Sequence, residues 1–318
     1  MGTEPASSAC RPPREVEESL RSDALAIIGC RQTSGAQGAV ALTVREGDVV
    51  LEAKWRPASS ASAWNDPVAE LAAHHVQRLV LEPADYVVPP AASHCYDAEQ
   101  EARWLASAAP VEDMGCVLGY LSYWLTGSVT LVEARRDGIV PAPHGVWSAD
   151  PALYDAARFV GQSRAERRNL AHLNVVAFLV RNGDAHAAQF VVYREPLHLF
   201  LVDNSVAFSA ERRPAMRDRQ DFSELVVPAI PADTAERVSR LGWEEVSALM
   251  RIEEYERQHG RWRRVPPGPL LEGGREHVRR VGDRVQVGLS EADARGVMQR
   301  VRVLQRAIES GAIGRADF

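Results

Sequence analysis

The sequence predicts an α+β fold in two lobes, β-rich at the N-terminus and mainly helical towards the C-terminus. Three observations carry that reading. Residues 25–55 split into short apolar runs separated by small-residue and Gly/Asp turns, residues 114–132 run for nineteen positions without a charge, and most of the remainder has helical periodicity around one embedded hairpin. At 318 residues the chain is long enough for one large domain or two lobes with a substantial core. The expected division is a leader over 1–22, an N-lobe over 23–115, a C-lobe over 116–312 and a tail over 313–318.

Taken in order, the first residues are polar and rich in Pro, Ser and Glu. They contain no apolar stretch of signal-peptide type and are expected to be disordered. Leu25–Ile28 reads as a strand leading into the small-residue loop Thr33–Gly38. Ala39–Val44 and Val49–Lys54 flank a turn at Glu46–Asp48 and form a hairpin. Asn65-Asp66-Pro67 opens a helix, with Pro near its first position. Val68, Leu71, Ala72, His75 and Leu79 follow at helical spacing, and the helix ends near Glu82-Pro83. Tyr86–Pro90 reads as extended chain.

Met114–Val132 approaches the length of a membrane span. Gly115, Gly119, Gly127 and several hydroxyl residues interrupt it, so a buried strand–turn–helix is the expectation, with no span. Ala165–Val180 sets Leu170, Leu173, Ala177 and Val180 on one helical face and stops at Asn182-Gly183. Phe190–Tyr193 and Leu197–Val202 form a second hairpin that runs directly into Asp203. Ser290–Asp293 resembles a capping box. Val297, Val301, Leu304 and Ile308 continue that last helix, with Gly311 as its stop. The basic cluster Arg261–Arg264 reads as solvated surface.

Composition bounds the chemistry. The net charge is −6, which disfavours a dedicated nucleic-acid binder. Cys10, Cys30, Cys95 and Cys116 show no paired spacing, so neither a disulfide framework nor a zinc site is expected, and a reducing cytoplasm is. His74 and His75 are adjacent on a helix and point about 100° apart, which argues against a shared metal. Of the 37 basic residues, 36 are Arg and one is Lys, Lys54. A GC-rich genome explains the bias; the single exception is either chance or a position where a guanidinium fails.

Phosphoryl transfer from a nucleotide needs a loop over the phosphates, a Lys on a following strand and a Glu on the next helix to hold that Lys. It also needs a carboxylate near the acceptor and oxygen ligands for a metal. Each part has a candidate in that order: Gly35 and Gly38, Lys54, Glu70, then Asp184 with His186 and Gln189, then Asp203. Taken singly the signals are ordinary. Gly35 and Gly38 suit any turn, and Glu70 suits any solvated helix face. A carboxylate emerging from an apolar strand at Asp203 is harder to explain without a partner or a metal.

Asp184-Ala-His-Ala-Ala-Gln189 resembles the DxHxxN catalytic loop of atypical kinases, the phosphatidylinositol 3-/4-kinases and the HipA-like kinases. Val202-Asp-Asn-Ser-Val-Ala-Phe208 is similar to their second metal motif, and Glu52–Pro57 with Asn65–Glu70 to their Lys strand and Glu helix. The resemblance runs from about Gly29 to Phe208. It implies a bilobal protein-kinase-like fold using ATP and Mg²⁺, with Lys54 on the phosphates and Glu70 holding Lys54. Asp184 is then the catalytic base or acceptor-orienting group, with His186 beside it, and Gln189 and Asp203 are the metal ligands. Cys116, Leu118 and Tyr120 would line an adenine-binding hinge. The family amide is usually Asn; Gln189 is one methylene longer, and Mg²⁺ is strict about ligand placement. Three activities stay open: a kinase acting on a hydroxyl of a protein, lipid or small molecule, a nucleotide-binding pseudokinase, and an adenylyl transferase. The acceptor is not readable.

Overall fold

The computed structural model describes residues 11–33, 39–61, 65–97, 104–105, 116–138, 163–182, 189–194, 197–208, 229–272, 274–275 and 277–317. The expected loop glycines Gly35 and Gly38, together with Asp184 and His186, lie outside them.

The chain is a mixed α and β protein. Its N-terminal sheet has five antiparallel strands in the order β1-β2-β3-β5-β4. These are β1 (Ala26–Gln32), β2 (Val40–Glu46), β3 (Val49–Pro57), β4 (Ala91–Asp97) and β5 (Cys116–Tyr123). The β2–β3 hairpin closes where Glu46 pairs Val49, with Gly47 at φ 56 in the intervening turn. A side chain rarely adopts that geometry, which is why the turn needs its Gly.

Alternation sends Leu51, Ala53 and Trp55 of β3 to one face of this sheet, packed with Leu42, Val117 and Leu121. Lys54 falls on the other face, towards α2 (Val68–Val80), whose Val68, Leu71, Ala72, Val76 and Val80 belong to the main core.

The leader is not uniformly disordered. Pro13–Arg21 forms helix α1, which buries Val16 and Leu20 against the first sheet. Glu17 anchors it: one oxygen lies 2.5 Å from the Arg78 guanidinium, the other 3.2 Å from His74 Nε2. Burial would raise that carboxyl, but the hydrogen bond and charge of His74, with Arg78, hold it down at about 2.

The uncharged connector is a strand, a turn and a helix, as expected. β5 leads through a turn with Gly127 at φ 78 into β6 (Val129–Thr130) and α3 (Leu131–Arg136). No helix among the described residues is long and apolar enough to cross a membrane. However, β5 pairs with β4 from Cys116 to Ser122 and with β3 from Gly119 to Tyr123, so Cys116, Leu118 and Tyr120 lie inside the first sheet rather than in a segment crossing out of it. The crossing follows Tyr123. The cysteine reading is also corrected: Cys95 and Cys116, on neighbouring strands, form a disulfide. Antiparallel pairing brings the two cysteines together, and sequence spacing gives no sign of it.

α4 (Arg164–Val180) begins with a complete capping box, Ser163 accepting from Glu166 N while Glu166 bonds the Ser163 amide. It is buried along most of its length. β7 (Phe190–Arg194) and β8 (Leu197–Leu201) form the second hairpin, joined to β6. β9 (Ala229–Pro231), α5 (Ala232–Arg240) and α6 (Trp243–Ser247) follow.

The later chain holds more strand than expected. β10 (Glu253–Gln258), β11 (Arg261–Val265), β12 (Gly274–Arg275), β13 (Val278–Val281) and β14 (Arg284–Val287) form a second antiparallel sheet, ordered β11-β10-β14-β13-β12. Arg264 is not solvated surface. It donates to Glu253 at 2.8 Å and to the Ser93 carbonyl at 2.6 Å, tying the two sheets together. α7 (Glu291–Glu309) places Val297, Val301, Leu304 and Ile308 in the core, and Gly311 at φ 74 ends it. The expected tail is part of the fold: β15 (Gly314–Ala316) pairs in parallel with β9.

Candidate active site

Three residues far apart in sequence meet at one point. Lys54 Nζ lies 3.1 Å from Glu70 Oε1 and 2.9 Å from Asp203 Oδ1. Strand alternation aims Lys54 at α2, and Glu70 stands in the first turn of that helix, where a carboxylate is favoured by the helix dipole. Asp203 lies just beyond the end of β8, where the apolar strand gives out.

Both oxygens of Glu70 are used: Oε1 takes Lys54, and Oε2 accepts the Asn204 amide at 3.0 Å. The loop after β8 is therefore docked on the same carboxylate that holds the lysine. Asp203 sits at φ 59, a left-handed conformation that Asp tolerates better than most residues. Its surroundings keep it there. Asn182 Nδ2 donates to the Asp203 carbonyl and to Asn204 Oδ1, Asn204 Nδ2 donates to the Leu201 carbonyl, and Ser205 Oγ donates to Asp203 Oδ1 at 3.1 Å. The Ser205 carbonyl accepts the Asp66 amide at 2.8 Å, while Asp66 Oδ1 accepts Val68 N at 2.9 Å at the start of α2.

The electrostatics favour the ionised forms. Burial alone would lower the Lys54 pKa, but the Glu70 and Asp203 carboxylates outweigh it and hold the ammonium above its ordinary value. Burial would raise Asp203, and the Lys54 charge and hydrogen bond, with Arg56 nearby, bring it below the usual carboxylate range. One ammonium between two carboxylates leaves the triad one negative charge in excess. The Asp203 side chain is 44% exposed, and its Oδ2 makes no hydrogen bond among the described residues. An open carboxylate oxygen is a suitable ligand for a hard divalent cation.

Gln189 is buried at the mouth of the β7–β8 hairpin, where its carbonyl accepts Val202 N at 2.9 Å. That places it one pairing step from Asp203. Among the described residues no group of three or more His, Cys, Asp or Glu side chains forms a metal cluster. The expected ligands are instead one amide and one carboxylate. Cys116, Leu118 and Tyr120 share the sheet face that carries Lys54, and all three are buried.

Sequence reading passed over Asp66, Asn182, Asn204 and Ser205 as parts of this site. Asn204 had a signal, its place directly after Asp203. Asn182 read only as a helix stop, and Asp66 only as a helix start.

No family model matches the chain, and no curated protein matches it. Among the solved structures that it matches is the Helicobacter pylori proinflammatory kinase CtkA. That match has 10% sequence identity and a TM-score of 0.45, and covers 89% of this chain and 92% of that one. A likeness this shallow carries no assignment, and the site stands on its own geometry.

Proposed function

We propose that this chain is an ATP-dependent phosphotransferase of the atypical kinase type, acting on a hydroxyl acceptor. The observation that carries the reading is the junction of Lys54 with both Glu70 and Asp203, residues 16 and 149 positions away from it. Phosphoryl transfer depends on positioning and charge neutralisation rather than covalent chemistry. In this reading Lys54 holds phosphate oxygens, and Glu70 keeps its ammonium aimed at them. Asp203 and Gln189 hold Mg²⁺, which when bound neutralises charge on the phosphates. Asp184 orients the acceptor hydroxyl and takes its proton, with His186 in the same loop.

A second reading is a nucleotide-binding pseudokinase, and Gln189 supports it. Gln189 is one methylene longer than the Asn usual at this place, and Mg²⁺ is strict about ligand placement. Incubation of the full chain with ATP and Mg²⁺, followed by intact-mass measurement, separates these readings. A gain of phosphate that disappears in Asp203→Ala supports the kinase. Nucleotide binding with no transfer to the chain or to supplied protein, lipid and small-molecule acceptors supports the pseudokinase. A gain of AMP instead supports adenylyl transfer, and absence of nucleotide binding overturns all three.

A further inference from the structure

The start of α2 is held from a direction that the candidate site does not explain. His277, in the turn before β13, places Nδ1 2.6 Å from Asp66 Oδ2 and Nε2 2.8 Å from Asp293 Oδ2. Asp66 precedes α2, and Asp293 lies in the first turn of α7. Both ring nitrogens face a carboxylate, so both must carry protons for the bridge to be complete. An imidazolium suits this place because it can donate in two divergent directions from one rigid ring; an ammonium or an amide on a flexible stem lacks that geometry.

The two ends of the bridge are themselves fixed. Asp293 Oδ2 also accepts from Ser290 Oγ, and the His277 carbonyl accepts Gly288 N at 3.1 Å. A Cβ at position 288 would fall 2.4 Å from the Met250 backbone, so this corner of the second sheet is closely packed. Asp66, at the other end, bonds both the first turn of α2 and the Ser205 carbonyl. The chain on either side of the Lys54–Glu70–Asp203 junction is thus tied to the second sheet through one ring.

We propose that His277 is a positioning residue, clamping the start of α2 and the 203–205 loop to the C-terminal sheet so that Glu70 and Asp203 stay on Lys54. The consequence for nucleotide use rests on the function proposed above; the clamp itself does not. Among the described residues, the charged or titratable groups within reach of the bridge are Asp66, Asp293, Tyr120 beside Asp66, and Arg300 beside Asp293.

Hydrogen exchange on the full chain tests the clamp without any ligand. His277→Gln removes the charge and one of the two contacts, and Asp293→Asn is a milder cut at the far end. Both should speed exchange by about tenfold at the Asp66 and Asn204 amides and in the first turn of α2, while β2 and β3 keep their protection. Exchange at those amides in the unaltered chain should accelerate beyond its intrinsic pH dependence as the pH is raised past about 9, and His277→Gln should lose this extra step. The KM for ATP should rise in both variants more than kcat falls. Unchanged exchange in both variants overturns the proposal, as does equal loss of protection in β2 and β3, which would make His277 an ordinary contributor to global stability. Local loosening in a chain that binds no nucleotide would leave the clamp standing and remove the kinase reading instead.

Discussion

Lys54 Nζ stands 2.9 Å from Asp203 Oδ1, the shortest contact of the only lysine in the chain. Arginine occupies every other basic position, so the composition makes Lys54→Arg the natural test of whether this site needs an ammonium. A guanidinium is broader than an ammonium, and the proposed function requires one compact cation to meet Glu70, Asp203 and a phosphate together. Lys54→Arg should lower kcat/KM for ATP by about 100-fold. Circular dichroism should show the fold retained. Unaltered ATP use would mean that the lone lysine is a chance survivor.

Glu70 has two tasks, holding Lys54 and docking the Asn204 amide. Glu70→Gln leaves one acceptor oxygen where two are used, so it keeps only one of the two hydrogen bonds and also loses the charge that opposes the second carboxylate's pull on the ammonium. ATP turnover should fall by about 10- to 100-fold, with a stability loss of roughly 1–3 kcal/mol by chemical denaturation. Equal turnover would separate Glu70 from the site's chemistry.

His277 sets a pH limit on stability. Burial would lower its pKa, but the hydrogen bonds to Asp293 and Asp66 raise it to about 9 from an ordinary 6.5. A raised folded-state value means that its stabilisation is fully present below pH 6.5 and is lost as the pH rises through 9. The contribution is about 2–3 kcal/mol. Denaturant midpoints between pH 6 and 10 should show that loss, and His277→Gln should flatten it.

Glu17 sets the opposite limit. Its folded pKa of about 2 lies below an ordinary 4.5, so its stabilisation is present above pH 4.5 and disappears as the pH falls towards 2. Glu17→Gln leaves Arg78 without its buried carboxylate and should cost about 2–4 kcal/mol. Loss of protection confined to α1 and the facing turn of α2 in hydrogen exchange would locate the effect.

Gly119 has no room for a side chain. A Cβ there would lie 2.3 Å from the Trp55 ring and 2.6 Å from the Arg56 carbonyl, and Trp55 is almost completely buried. Gly119→Ala should destabilise the first sheet by more than about 2 kcal/mol, because neither backbone nor packed indole can yield. A near-neutral thermal shift would contradict the packing around Trp55.

Much of this architecture was legible in the sequence because local signals and tertiary structure agree. The β2–β3 hairpin has its Gly-Asp turn, α2 its Asn-Asp-Pro start, α4 and α7 their apolar stripes, and α7 its serine cap as well. Lys54, Glu70 and Asp203 were readable in order, and the fold brings them together. Besides the Cys95–Cys116 disulfide and the β15–β9 pairing, what escaped is held by long-range charge. β10 and β11 read Glu-Glu-Tyr-Glu-Arg-Gln and Arg-Trp-Arg-Arg-Val, with little of the apolar alternation that marks a strand. Glu253 and Glu254 are nevertheless buried, because Arg264 and Arg284 meet them across the sheet. α1 shows only Val16 and Leu20 on its inner face, and the remaining anchor, Glu17, finds His74 and Arg78 about sixty positions away. His277 is invisible for the same reason: its partners are Asp66 and Asp293, neither of which is local.

The central claim, that the Lys54–Glu70–Asp203 junction holds a nucleotide with its metal, is tested most directly by ATP binding to the full chain, followed by calorimetry with and without Mg²⁺. The account predicts binding that Mg²⁺ strengthens by at least about tenfold in the unaltered chain and leaves unchanged in Asp203→Ala. Binding with no response to Mg²⁺, or the same response in Asp203→Ala, would contradict it.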